Sequence, residues 1–211
     1  MNIDRAGLPF LAAALLPALG LLATRRPGWS LPFAGLAIFF AYFFRDPERR
    51  VPAGVGLVVS PADGRVMVAG PAEPDTSPPG AWAQVTVFLS PLDVHINRAP
   101  IGGRVTRIEQ RPGRFLPAYR PESRGNARTE LWLDHDGQPI VVRQVVGVLA
   151  RRIVCRVTEG DALATGERFG LMKFGSRMDV FLPTTADLRV RVGDRVRGGE
   201  TVLATLTPRR A

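Results

Sequence analysis

Cysteine, lysine and histidine are nearly missing from this 211-residue chain, and each shortage closes off a class of chemistry. Cys155 is the only cysteine, so no intrachain disulfide and no multi-thiolate metal centre can form. Two histidines, His95 and His135, leave little material for a histidine-rich metal site. Lys173 is the one lysine among 28 basic residues, a skew that a GC-rich genome produces as readily as selection for arginine chemistry. No G-x-S-x-G is present, so the nucleophile elbow of an α/β-hydrolase is not supported. The 22 glycines and 19 prolines follow no collagen period, and 45% apolar content excludes a disordered chain. The net charge of +9 splits into +3 over residues 1–50 and +6 over the rest. It is not clustered among aromatics as a nucleic-acid interface requires, so no nucleic-acid partner is expected. A basic protein beside anionic lipid fits the balance.

The first fifty residues read as a membrane module. No charge occurs from Ala6 to Thr24, nor from Trp29 to Phe44, and the Arg25-Arg26-Pro27-Gly28 turn signal lies between. Each stretch falls slightly short of the roughly 20 apolar residues of a full span. Two geometries fit: a tight helical hairpin crossing the bilayer twice, or one dipping into a single leaflet. In both, the ends emerge on one side. Arg45, Arg49 and Arg50 favour the cytoplasm for that side, against the weaker pull of Arg25 and Arg26. A signal peptide ending near Thr24 is the alternative; the charge-neutral start MNIDR and the second apolar stretch speak against it.

The remaining residues, 51–211, read as strands between glycine and proline turns. Runs at 57–59, 65–68, 84–89, 129–133, 140–146, 153–157, 179–182, 188–192 and 201–206 are short and rich in β-branched residues. The expected fold is mainly β, a barrel-sandwich-like domain preceded by the hydrophobic helical hairpin. The closing VRVGDRVRGGETVL pattern, with Gly193-Asp194 and Gly198-Gly199 as turns, resembles carrier domains of that type. Residues 111–125 are long for a plain connection, which fits a lid or binding loop with Phe115, Leu116 and Tyr119 available to lipid and fits an ordinary mobile surface loop equally.

Candidate chemistry lies at three places. A Gly175-Ser176 step sits in LMKFGSRMDVFLP, where serine can supply an oxygen to attack the Gly175 carbonyl; taken alone, it is also an ordinary turn. His95 lies in SPLDVHINRAPIGG, followed by Asn97 and Arg98 and bounded by prolines; histidine moves protons near neutral pH. Asp63 occupies the turn SPADGRV, where a carboxylate often just caps backbone N–H groups. A nucleophile, a base and an orienter assembled from three separate strands is the functional reading of the set.

SPADGRV, SPLDVHINRAPIGG and LMKFGSRMDVFLP, in that order after a membrane hairpin, resemble the short bacterial form of phosphatidylserine decarboxylase. The resemblance covers nearly the whole chain, and its most specific part surrounds Gly175-Ser176. It implies that Ser176 Oγ attacks the Gly175 carbonyl to give an ester. β-Elimination then cuts the chain, and residue 176 becomes an N-terminal pyruvoyl group. Residues 1–175 would form a β chain and 176–211 an α chain, paired as a heterodimer. The pyruvoyl ketone would take phosphatidylserine as a Schiff base, accept the electrons released with CO₂ and yield phosphatidylethanolamine, without metal or pyridoxal phosphate.

One departure is informative. Larger family members carry two histidines three residues apart; here the first matches His95 and the second position holds Arg98. The resemblance leaves open whether His95 serves both self-cleavage and decarboxylation. His135 in LWLDHDG is a weak candidate for the second role, and Arg98 is suited to pairing with a substrate carboxylate or phosphate. The competing readings are a non-enzymatic membrane-anchored adaptor or carrier domain and a membrane-tethered hydrolase using Ser176. Both predict an intact chain.

Overall fold

Two apolar stretches with a four-residue polar turn between them have one compact solution, an antiparallel helix pair. The computed structural model describes residues 2–73, 75–148, 153–173 and 176–207. It divides into two compact units, residues 1–48 and 49–211. In the first, α1 (Leu8–Ala23) packs on α2 (Pro27–Phe43). Strand β1 (Asn2–Ile3) pairs antiparallel with β2 (Arg45–Asp46), so both ends of the hairpin leave together. Phe10, Phe40 and Phe44 stack next to this clip. Leu16, Trp29, Leu31 and Ile38 are each about 70% exposed, an apolar surface that water does not favour. Residues 5–23 form one helix long and apolar enough to cross a membrane; α2 is shorter.

The second unit is built from antiparallel strands. They are β3 (Leu57–Val59), β4 (Gly64–Pro71), β5 (Trp82–Leu89), β6 (Ile96–Arg98), β7 (Gly103–Arg111), β8 (Arg128–His135) and β9 (Gln138–Val146). The rest are β10 (Ile153–Cys155), β11 (Ala162–Leu163), β12 (Arg168–Met172), β13 (Ser176–Pro183), β14 (Asp187–Leu188), β15 (Arg195–Val196) and β16 (Val202–Thr205). An eight-stranded curled sheet runs β11-β7-β8-β9-β13-β5-β4-β15. Two three-stranded sheets, β10-β12-β6 and β14-β16-β3, complete the domain. The mainly β architecture expected from the punctuation is what the chain adopts.

Alternation along β13 explains the layering. Met178, Val180 and Leu182 face one way and join Val85, Val87, Ile140 and Val142 in the main core, together with Phe169 and Met172 from β12 and Leu203 from β16. Arg177, Asp179 and Phe181 face the other way. There Phe181 packs with Trp82, Val141 and Trp132. A sheet buried on both faces loses the simple apolar–polar alternation.

Five strands of this unit escape a reading based on alternation, the two-residue β11 and β15 among them. β7 (GRVTRIEQR) carries charge on both faces, β6 is three residues long, and β12 is covered on nearly every side. The run 188–192 is strand only at its first residue. Beyond it Arg191 N–H donates to Asp194 Oδ2, closing a turn at Gly193, which has φ +99°. The loop at 111–125 ends in a short 3₁₀ helix, Pro121–Gly125. Asn126 staples it by bonding both the N–H and the carbonyl of Leu116, and donates to the carbonyl of Val146.

Candidate active site

Register brings the three predicted segments to one end of the large sheet. Ser176 opens β13 and lies opposite Leu89 on one side and Val146 on the other. Leu89 ends β5, and the next residues turn tightly: Ser90 N–H donates to Asp93 Oδ2 at 2.8 Å, and Asp93 N–H to Ser90 O at 3.0 Å. His95 follows, and its carbonyl accepts from Met172 N–H at 3.2 Å, at the end of β12. Residues 173–175 thus connect a strand bonded at His95 to the strand that starts with Ser176. Asp63 precedes β4, whose Arg65 lies opposite Phe88. One step further, Gly64 is level with Leu89, about 10 Å and two strand spacings from Ser176. Gly64 is required here, because a Cβ would overlap the Phe88 carbonyl oxygen.

The side chains differ in their surroundings. Ser176 is fully buried, and its Oγ has no hydrogen-bond partner among the described residues. His95 is also fully buried, and its Nδ1 sits 2.9 Å from Asp93 O. A carbonyl at that distance selects the Nδ1–H tautomer, which makes Nε2 the basic nitrogen. The Asp63 carboxylate is held by Arg49 Nη2, at 2.9 and 2.7 Å from its two oxygens, and by Gly198 N–H at 2.8 Å. Arg49 Nη1 reaches on to Glu200 Oε2 at 3.4 Å, while Arg50 N–H donates to Glu200 Oε1 at 3.1 Å. That backbone bond is the main reason the Glu200 carboxyl lies below its usual range; Arg49 and Arg197 add to it against some desolvation. The Gly175 carbonyl named by the sequence lies outside the described residues.

Arg98 is buried, and its Nη1 donates to Gly166 O at 3.0 Å. His135 ends β8 opposite Gln138, with Nδ1 2.7 Å from Gly102 O. Gln138 and Val146 terminate β9 at its two ends, about 26 Å apart at strand rise, so His135 lies far from Ser176. The grouping of Asp63, His95 and Ser176 at one sheet end therefore excludes the second histidine.

Two features were hidden in the sequence. Asn97 and Gln144, both buried, meet beneath the site, with Gln144 Nε2 donating to Asn97 Oδ1 at 2.7 Å. On the outer face, buried Arg143 pairs with Glu130 at 3.0 Å and lies 3.9 Å from Asp179, while Arg177 reaches Asp179 at 3.0 Å. Burial pulls the Arg143 guanidinium below its usual value, against the opposing charges of Asp179 and Glu130. This network floors a cleft of about 300 Å³ that Arg120 and Arg124 also line. It opens on the face opposite the Ser176 side chain. The signal available was Arg143-Gln144 interrupting the apolar run 140–146. No group of three or more metal-ligating side chains occurs among the described residues.

A family model described as phosphatidylserine decarboxylase matches residues 36–204. A protein of Symbiobacterium thermophilum named phosphatidylserine decarboxylase proenzyme is 48% identical over 208 residues, covering 97% of this chain and 95% of the relative. Proteins of the same name from Nitrosomonas europaea and Gluconobacter oxydans are 43% and 47% identical. The alignments cover 96% of this chain in both cases, and 94% and 93% of the relatives.

Proposed function

The chain belongs to the phosphatidylserine decarboxylase family, and on that premise we propose that it is a proenzyme that cuts itself between Gly175 and Ser176. The observation that carries this reading is Ser176 itself. Its hydroxyl is buried at the head of β13 without a hydrogen-bond partner among the described residues, one short connector away from the strand bonded to His95. A buried hydroxyl left unpaired costs about 1–3 kcal/mol, and such groups call for a chemical explanation. His95 Nε2 takes the Ser176 proton as Oγ adds to the carbonyl of residue 175. The imidazole then returns the proton to the departing backbone nitrogen, and an ester replaces the peptide. Asp63, fixed by Arg49 and Gly198, sets the field at that sheet end. The pyruvoyl group left at position 176 supplies the ketone that accepts electrons as phosphatidylserine loses its carboxylate. The protein contributes burial, orientation and a proton donor.

The two chains, 1–175 and 176–211, remain a heterodimer because β13 stays hydrogen-bonded between β5 and β9 after the cut. The hairpin of α1 and α2 holds the enzyme on the membrane, with the β domain on the cytoplasmic face and anionic lipid around it. Its exposed Leu16, Leu31 and Ile38 support this. Intact mass of the purified full chain tests the central step. Two fragments split at 175–176 are expected, with Ser176→Ala leaving one uncut, inactive chain and hydroxylamine blocking the mature enzyme. A Ser176→Ala protein that still divides at this bond overturns the reading.

A further inference from the structure

One row of residues crosses the outer face of the large sheet from β8 to β4. Glu130 lies opposite Arg143, Arg143 opposite Asp179, Asp179 opposite Thr86 and Thr86 opposite Val68. Facing side chains in a sheet stand about 5 Å apart, close enough to pair. Arg143 Nε donates to Glu130 Oε1 at 3.0 Å, and Thr86 Oγ1 donates to Asp179 Oδ1 at 2.9 Å. The next row holds Arg128, Val145 and Arg177. Two loops stand over these rows, each tied down by a guanidinium. Arg143 Nη1 donates to Thr76 O at 2.6 Å, holding the connection between β4 and β5. Arg177 Nη1 donates to Ser123 Oγ at 2.9 Å, holding the connection between β7 and β8. Arg124 pairs with Glu73 from one loop to the other. Hydrogen bonds therefore frame the cleft of about 300 Å³ at its floor and at both walls.

Its charges do not balance. At the floor Arg128, Arg143 and Arg177 face two carboxylates, Glu130 and Asp179, and all but Arg128 and Arg177 of these are at most 4% exposed. Arg124 and Glu73 cancel above them, and the other charged lining residues, Arg120 and Asp75, cancel in number. One positive charge remains where little water reaches to screen it. Two arginines have N–H groups to offer. Arg120 makes no hydrogen bond or ion pair among the described residues. Arg128 uses Nε on Glu130 and Nη1 on the Arg124 carbonyl, which leaves Nη2. Met67, Val68 and Val145 make part of the lining apolar. We propose that this cleft binds a phosphate ester, with its oxygens on Arg120 and Arg128 and its organic group against Met67 and Val68. A free phosphate ester and the headgroup of an anionic phospholipid share that chemistry. The site is separate from Ser176, whose side chain is on the opposite face of β13, and it does not depend on self-cleavage.

The test follows arginine modification by phenylglyoxal, mapped by peptide mass, in the full-length Ser176→Ala chain held in neutral detergent. Inorganic phosphate and glycerol phosphate are compared with chloride at equal ionic strength. At saturation Arg120 and Arg128 are expected to react about tenfold more slowly, while exposed Arg107 and Arg189, outside the cleft, keep their rates. A second arm replaces detergent with phosphatidylcholine vesicles, with or without about one-third phosphatidylglycerol. Protection by the soluble phosphates assigns a free ester; protection by the phosphatidylglycerol vesicles alone assigns the lipid headgroup. Arg120→Gln should abolish the protection of Arg128, with melting unchanged and, in the chain that keeps Ser176, cutting at 175–176 unchanged. Reaction at the chloride rate in every phosphate and vesicle overturns the site. So does equal slowing at Arg107 and Arg189, which is general screening, or equal protection by phosphatidylcholine alone with no effect of soluble phosphate, which is shielding by the bilayer. Arg128 that stays protected in Arg120→Gln overturns it too. Each of these failures leaves the self-cleavage reading standing, because the Ser176→Ala chain never cuts.

Discussion

Removing Arg49 should loosen Asp63 and reveal whether its position matters for maturation. The guanidinium bridges two carboxylates: Nη2 lies 2.7–2.9 Å from both Asp63 oxygens, and Nη1 lies 3.4 Å from Glu200. The Arg49 and Asp63 side chains are 8% and 17% exposed, so solvent replaces little of the contact. The two Asp63 contacts share one nitrogen and count as one charged hydrogen bond, about 1.5–3 kcal/mol. The longer contact to half-exposed Glu200 adds well under about 1 kcal/mol. Arg49→Met should therefore cost about 2–3 kcal/mol and lower the melting temperature by about 4–12 °C for a domain of this size. Arg49→Lys keeps charge but not the two-armed reach, and should fall between. The melts belong in the Ser176→Ala background, where every chain is uncut, with Asp63→Asn completing a double-mutant cycle. A coupling of about 1–3 kcal/mol is expected, and self-cleavage of Arg49→Met in the otherwise native chain should slow. Coupling below about 0.5 kcal/mol would refute the anchoring argument. A large melting shift with an unchanged cutting rate would reduce Asp63 to a structural role.

His95→Ala should halt maturation at the uncut precursor, whereas His135→Ala, at the far end of β9, should leave both cutting and CO₂ release intact; separate assays of the two steps check this. Glu130→Gln leaves Arg143 with a weakened partner set in a buried site and should cost about 3 kcal/mol or more, whereas pairing it with Arg143→Met should restore much of the loss, as read by thermal melting. Gly64→Ala should prevent β4 from closing on β5, because its Cβ meets the Phe88 carbonyl; normal melting of that variant would show that the strands can separate there. Glu200 is held below its ordinary value of 4.5, so its contribution is present above that pH and fades as pH falls through the lower folded-state value. Glu200→Gln should flatten that part of the acid limb of a melting-temperature profile.

Local chemistry in the chain determined a good deal. Uncharged runs at 6–24 and 29–44 dictate helices because a backbone in apolar surroundings must satisfy its own hydrogen bonds. Glycine turns and β-branched runs dictate short antiparallel strands in the rest, and the Gly-Ser step between apolar strands marks Ser176. What the sequence hid is whatever depends on pairing between distant segments. β7 and β12 were illegible because one is polar on both faces and the other is buried on both, and periodicity carries no signal in either case. Asn97 and Gln144 are 47 positions apart and become partners only when β6 lies across the large sheet. Arg49 and Asp63 belong to separate connecting segments that the closing strands pin together. Side-chain alternation is a property of one strand and can be read along it; register and facing are properties of two strands at once. Only tertiary structure could set the serine, the histidine and the amide pair at the same end of one sheet.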